Sequence, residues 1–152
     1  MLTRLEFSRD ADALFTHVET CWRDAAAGRD MPRRSDISPS KLGRALPYVA
    51  LIDVLHGLPM DFRYRLIGQH LIVNTGQNLT GKRSLELPAT TPAGRPVYDT
   101  YVKCVQTAKP RRFDLEVLNM NGTKRRMQGL ILPLSDDGRT ADALLGVALY
   151  RD

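Results

Sequence analysis

Cysteine is scarce in this sequence: 2 residues in 152, Cys21 and Cys104. Neither belongs to a paired Cys/His pattern with metal-ligand spacing, and each falls within a predicted helix. Both therefore read as reduced, partly buried thiols, not as a disulfide framework or a zinc site. Long apolar runs are also lacking. The longest, YVALIDVL from Tyr48 to Leu55, is broken by Asp53 and falls far short of the ~20 residues a membrane helix needs. The opening MLTRLEFSRDADALF carries scattered charges from Arg4 onward and no apolar stretch, so it lacks the pattern of a secretory signal. A cytoplasmic location is the expectation. No nucleophile elbow, His-Glu metal motif or phosphate loop occurs.

Apolar residues make up 43% of the chain and charged residues 26%, values that suit one globular domain with a real core. The net charge is +5, and the basic residues come in groups: Arg33-Arg34, Lys82-Arg83, Arg111-Arg112 and Lys124-Arg125-Arg126. Such groups can hold phosphates. Acidic residues are interleaved with them, however, as in RRFDLEV, and no reading helix or aromatic platform accompanies them. A nucleotide- or RNA-responsive binding module using these pairs is thus an alternative reading, not the leading one. Adjacent arginines on a strand point to opposite faces, which hinders their convergence on one pocket.

Periodicity predicts an amphipathic helix over residues 9–27, with Leu14, Phe15, Val18, Cys21, Trp22 and Ala25 at three- and four-residue spacing. Ser8 or Asp10 is available as its cap and Gly28 as its stop. Its apolar stripe must cover the domain's own sheet or meet a second copy. Ser38-Pro39 is a helix-start pair, and Pro47 is expected to end the short helix that follows. Two strands come next, 48–55 and 61–68, joined by a turn. In the second, Phe62, Tyr64 and Leu66 are expected on one face with Arg63 and Arg65 on the other. A longer helix is predicted over 94–108, and three strands complete the chain. For the hairpin at Asn121-Gly122, a two-residue loop sets Glu116 opposite Met127 and mixes faces. A three-residue loop, Met120-Asn121-Gly122, sets Glu116 opposite Arg126 and places Gly122 at the left-handed position. The expected fold class is α+β: a five-stranded antiparallel sheet with helices on one face and an N-terminal amphipathic helix. Residues 1–30 form a helical extension and 31–152 the domain proper. Arg63, Arg65, Arg112, Asp114, Glu116 and Arg126 are expected to share the wet outer face as weak cross-strand ion pairs.

Two strands, short helices, one longer helix and three strands is the order of a PAS domain. The stretches MPRRSDISPSKLGRALPYVALIDVL and FRYRLIGQHLIVNTGQNLTGK resemble the short single-domain alphaproteobacterial PAS family, over about Phe15 to Tyr150. The resemblance implies a PAS fold and a non-catalytic module for bacterial signalling, acting through a protein partner, often as a homodimer, with or without a small ligand in the pocket. It implies that IVNTGQNLTGKRSLEL, residues 72–87, walls that pocket. Flavin photosensors of this fold carry a motif near Gly-x-Asn-Cys-Arg. Here Gly76 and Asn78 match, but Leu79 stands where the reactive sulfur belongs. That argues against covalent flavin chemistry. Haem-binding members use an axial His, commonly on the long helix, and 94–108 has none.

The inward polar candidates for a ligand site are Tyr64, His70, Asn74, Tyr98, Tyr101 and Met127. Leu14, Phe15, Val18 and Trp22 are the candidates for a dimer or partner contact through the first helix. A small enzyme with an acid/base pocket is the second alternative. It would require a buried carboxylate, Asp53 for instance, facing an apolar cavity.

Overall fold

The computed structural model describes residues 11–92, 94–119 and 121–151. Five strands, β1 (Val49–Leu55), β2 (Asp61–Ile67), β3 (Arg111–Leu118), β4 (Lys124–Leu134) and β5 (Ala143–Arg151), form one antiparallel sheet in the order β2-β1-β5-β4-β3. The helices are α1 (Ala11–Ala26), α2 (Pro39–Leu42), α3 (Gln69–Thr75) and α4 (Arg95–Thr107), with 3-10 turns at Arg34–Asp36, Gly43–Tyr48 and Ser84–Glu86. The central strand, β5, is apolar at nearly every position because both of its faces are covered.

The inner face of the sheet carries Ala50, Ile52, Val54, Phe62, Tyr64, Met127, Ile131, Leu144, Ala148 and Tyr150, packed against Val97, Tyr101 and Cys104 of α4. The outer face is covered by α1. Its stripe of Leu14, Phe15, Val18 and Trp22 is buried against Leu130, Leu132, Leu134, Leu145 and Leu149, and the Trp22 indole donates to the Pro133 carbonyl at 2.8 Å. Burial of each such side chain contributes roughly 1.5–3 kcal/mol, so this helix is an integral layer of the domain. The chain turns out of α1 through two left-handed residues, Ala27 and Gly28 (φ 51° and 87°). The proposed caps Ser8 and Asp10 lie outside the described residues.

The helix start at Ser38 is as expected, its hydroxyl accepting from the Lys41 backbone N–H at 3.4 Å. Pro47, by contrast, does not end that segment. A 3-10 turn runs through it to Tyr48, which a proline tolerates because no i−4 hydrogen bond is asked of it there. The β3–β4 hairpin has the expected register, Glu116 opposite Arg126 and Leu115 opposite Met127. Its loop closes through Asn119 and Thr123, with Gly122 left-handed at φ 78°.

A second correction concerns β2. Leu51 pairs with Leu66, but Ile52 pairs with Tyr64, so Arg65 is an extra residue forming a β-bulge. Beyond a bulge the alternation reverses. Leu66 therefore faces outward, 62% exposed, and Ile67 turns inward. The charged outer face is also smaller than expected. It survives at the two edges, around Arg63 and Arg65 on one side and Asp114 and Arg126 (2.7 Å) on the other, because α1 covers the strands between.

Candidate functional site

Small residues at the centre of the inner face create a cavity. Ala50 of β1 and Gly146 and Ala148 of β5 form its floor, where neighbouring inward positions carry Ile52, Ile131 and Tyr150. Helix α4 lies above, contributing Val97 and Tyr101, and α3 with the segment after it contributes Leu71, Thr75, Gln77 and Leu79. Helix α3 ends at Gly76, left-handed at φ 93°, which turns the chain so that Leu79 returns to the cavity wall almost fully buried. The cavity has a volume of about 60 Å³. A water needs ~10–15 Å³ on the same measure, so the space suits a few waters or a handful of heavy atoms.

Hydroxyls are the chief polar groups of this wall. Tyr64 and Tyr101 bond to each other at 2.7 Å, and buried Ser84 hydrogen-bonds Tyr64. Across the cavity, Thr75 and Tyr150 bond at 3.1 Å. Burial pushes the Tyr64 hydroxyl well up from its usual range, and the adjacent Tyr101 pushes it further. Burial likewise raises Tyr101 and Tyr150. All three phenols stay neutral at physiological pH. Among the described residues, those lining the cavity include no carboxylate, ammonium, guanidinium or imidazole.

Of the six candidate ligand residues, the structure brings Tyr64, Tyr101 and Met127 together on the cavity. Tyr98 instead donates its hydroxyl to the Met60 carbonyl and packs edge-on against Phe62. His70 and Asn74 sit on the far side of α3. The His70 ring packs on Tyr48 (4.5 Å) and its Nε2 accepts the Tyr150 backbone N–H at 3.2 Å, while Asn74 accepts from Arg125 at 2.8 Å. His70 anchors the pocket wall to the end of β5 and Asn74 anchors it to the start of β4. Sequence reasoning missed Thr75, Tyr150 and Ile67. The alternation Gly146, Ala148, Tyr150 carried the signal for the second of them, small residues beside a large polar-tipped one on one face. The bulge hid the third.

The two buried carboxylates among the described residues, Asp53 and Asp61, lie elsewhere. Asp61 accepts the backbone N–H groups of Phe62 and Leu85 (2.8 and 3.1 Å), closing the β2 start onto the 3-10 turn at Ser84. Asp53 is on the outer face, where Arg65 grips it through two nitrogens (2.7–3.1 Å), Arg34 bonds it closely and Arg63 stands 4.0 Å away. Burial alone would raise its pKa, but the guanidiniums of Arg65 and Arg34 outweigh burial and hold it below the usual carboxylate range.

A sheet in this order, with helices and a cavity on one face, invites comparison with known proteins. The sequence profile described as PAS domain matches residues 12–149. The chain belongs to the PAS domain family. The match takes in α1 as well as the sheet. Solved structures agree in fold. The dark structure of the blue-light photoreceptor Aureochrome1 LOV superposes with a TM-score of 0.54 at 16% identity, covering 73% of this chain and 80% of that one. The structure entitled "Flavin Analogue Sheds Light on Light-Oxygen-Voltage Domain Mechanism" gives 0.52 at 18% identity, covering 68% and 76%. No curated protein matches the chain.

In this PAS domain the tyrosine pair is a structural prediction as well. Tyr64→Phe removes one partner and leaves the buried Tyr101 and Ser84 hydroxyls short of a bond. A loss of about 1–2 kcal/mol is expected in urea unfolding, with the fold and the inner-face packing retained.

Proposed function

We propose that this PAS domain is a non-catalytic regulatory module that signals through a protein partner and is tuned by a small neutral ligand in its cavity. One observation carries the reading: an apolar cavity over Ala50, Gly146 and Ala148 into which paired hydroxyls, but no charged group, project. A charged ligand would lose its hydration without a counter-ion, whereas a neutral one needs only a partner for the hydroxyls. The Tyr101 hydroxyl, bonded to Tyr64 at 2.7 Å, can still offer a ligand its remaining hydrogen-bonding capacity. A short alcohol or ketone of about five heavy atoms meets both requirements. At the ceiling of ~1.5 kcal/mol per atom its Kd would be roughly 3 μM at best, a range suited to sensing a metabolite that accumulates.

Acid/base chemistry finds no support in this wall, since Asp53 and Asp61, the buried carboxylates among the described residues, are engaged outside the cavity. Flavin fits poorly. Organic cofactor sites of that size occupy ~300–1,000 Å³, and Leu79 fills the wall where the resemblance places the reactive sulfur. Within the 1–30 extension, helix α1 plates the outer face of the sheet and shares one core with the domain formed by 31–152. A homodimer through Leu14, Phe15, Val18 and Trp22 would require α1 to leave its sheet. The basic groups are scattered among separate partners, Arg34 with Asp53, Arg112 with Asp12, Arg125 with Asn74 and Arg126 with Asp114, which favours protein over nucleic acid as the partner.

Thermal unfolding in a series of 1-alkanols tests the ligand class. Specific binding raises the melting temperature by mass action. The expected result is a rise that peaks near 1-butanol and disappears in Ala148→Leu, which fills the floor. A fall that steepens smoothly with chain length, alike in both proteins, would overturn it.

A further inference from the structure

The β2 bulge does two things at once. It turns Ile67 into the cavity wall and Leu66 out to solvent, and Ile67 also lines a second depression on the opposite side of the sheet. That groove, about 270 Å³, runs between the 3-10 turn at Gly43–Tyr48 and the outer faces of β1 and β2. Its walls are Ile37, Leu46, Leu51 and Leu66, with Leu46 and Leu66 41% and 62% exposed. Single exposed leucines are ordinary; contiguous ones in a concave site mark an interaction surface. Helix α1 covers β4 and β5; Ile37 and Leu51 pack at the margin of its cluster, and the groove lining takes in none of the α1 residues.

The charge beside the groove is strongly one-sided. Arg34 forms part of its wall, and Arg63 and Arg65 stand alongside, all three facing the single carboxylate of Asp53. Among the described residues this leaves an excess of two positive charges. Asp53 orders the guanidiniums into a fixed cluster, and Arg63 and Arg65 remain about half exposed. Such a pre-ordered cluster presents guanidiniums to a further carboxylate at little entropic cost.

We infer that this groove docks an acidic, amphipathic segment of the partner protein, its apolar side chains between Leu46 and Leu66 and its carboxylates on the Arg34–Arg63–Arg65 cluster. The inference deepens the proposed function by placing the partner on the face that Ile67 connects to the ligand cavity. A ligand that displaces Ile67 moves the strand end that carries Leu66. A second copy of this chain is a poor occupant: with a net charge of +5, its surface repels a basic cluster more readily than it complements one.

The test is site-specific photo-crosslinking in the source cells, with benzoylphenylalanine replacing Leu66 in the full chain and, as control, replacing Leu118, which is exposed at the opposite edge of the sheet. Adducts are mapped by mass spectrometry and the crosslinked peptide is synthesised for binding. The expected result is an adduct at position 66, absent at 118, to a segment rich in Asp or Glu beside an apolar stripe. Its binding should weaken about tenfold in Leu66→Glu and severalfold in Arg63→Gln, with Leu66→Glu melting as the wild type does. Crosslinking to a second copy of this chain, to a basic segment or to lipid would overturn the inference. Adducts at 118 alone would overturn the groove while leaving a partner-dependent module standing. Adducts at neither site would count against both.

Discussion

Gly68→Ala is expected to lower the melting temperature by ~6–12 °C, from an overpacking cost of about 3 kcal/mol. Gly68 has an ordinary φ of −69°, so backbone conformation is not the reason. The reason is space. A Cβ there would lie 2.3 Å from the Pro47 carbonyl oxygen and 2.5 Å from that of Leu46. Both obstacles are backbone and cannot rotate away. Gly68 also donates to the Val49 carbonyl at 2.8 Å and accepts from Ile72 at 3.1 Å, so the end of β2, the start of β1, the 3-10 turn and α3 meet at this residue. The strain would spread to Leu46 in the groove and to α3 in the cavity wall. Gly57→Ala is the control, since its nearest non-neighbouring atom would be 3.5 Å away; it should change the midpoint by less than ~0.5 kcal/mol. Equal effects of the two substitutions would show that the junction is looser than the packing implies.

Asp53→Asn should also lower stability. The side chain keeps its shape but loses the charge that three arginines face. Removing one partner from a buried ion cluster typically costs 3–5 kcal/mol. The arginines here are partly exposed and solvent screens them, so about 2 kcal/mol is expected. The pH dependence follows from the direction of the shift. Asp53 is held below the usual carboxylate value in the folded chain, so in the window between its folded value and ~4 the unfolded chain binds more protons. Its contribution to stability is present above that window and is lost as the pH falls through the folded value. Urea titrations at pH 7 and at pH 3 should therefore show the variant's deficit shrinking in acid. Asp36, Asp114 and Asp137 are depressed as well, Asp137 to about 2 by the Thr140 and Arg139 backbone N–H groups. They add acid sensitivity common to both proteins, so only the difference between them reports on Asp53. A deficit unchanged with pH would mean that Asp53 acts by packing and not by charge.

Much of this was legible in the chain because local chemistry and fold agree. Apolar spacing marked α1 and α4, and Ser38-Pro39 marked α2. Face matching together with a left-handed Gly122 marked the β3–β4 register. Tyr64, Tyr101 and Met127 were legible as inward groups because strand alternation and helical spacing both pointed them to the core. What escaped was non-local. A bulge at Arg65 is set by the pairing of Leu51 and Ile52 with another strand, and nothing in RYRLIG announces it. The position of α1 depends on β4 and β5, more than 100 residues away in the case of the Trp22–Pro133 bond. His70 and Asn74 belong to the wall's anchoring and not to its inner surface, because α3 is only two turns long and its cavity side is taken by Leu71 and Thr75. The cavity itself arises from what is small, Ala50, Gly146 and Ala148, and small residues are easily passed over in a search for polar groups.

On this reading, a small neutral molecule in the cavity changes the outer face of the sheet through the β2 bulge. The most direct test is a titration of the uniformly ¹⁵N-labelled chain with 1-butanol, followed by amide chemical shifts. Saturable shifts are expected at Tyr64, Ile67, Leu71 and Tyr101, extending through Leu66 to Leu51 and Leu46 with one common dissociation constant and vanishing in Ala148→Leu. Linear, unsaturable shifts spread over exposed residues, or saturable shifts that stop at the cavity and leave Leu66 unmoved, would contradict this reading.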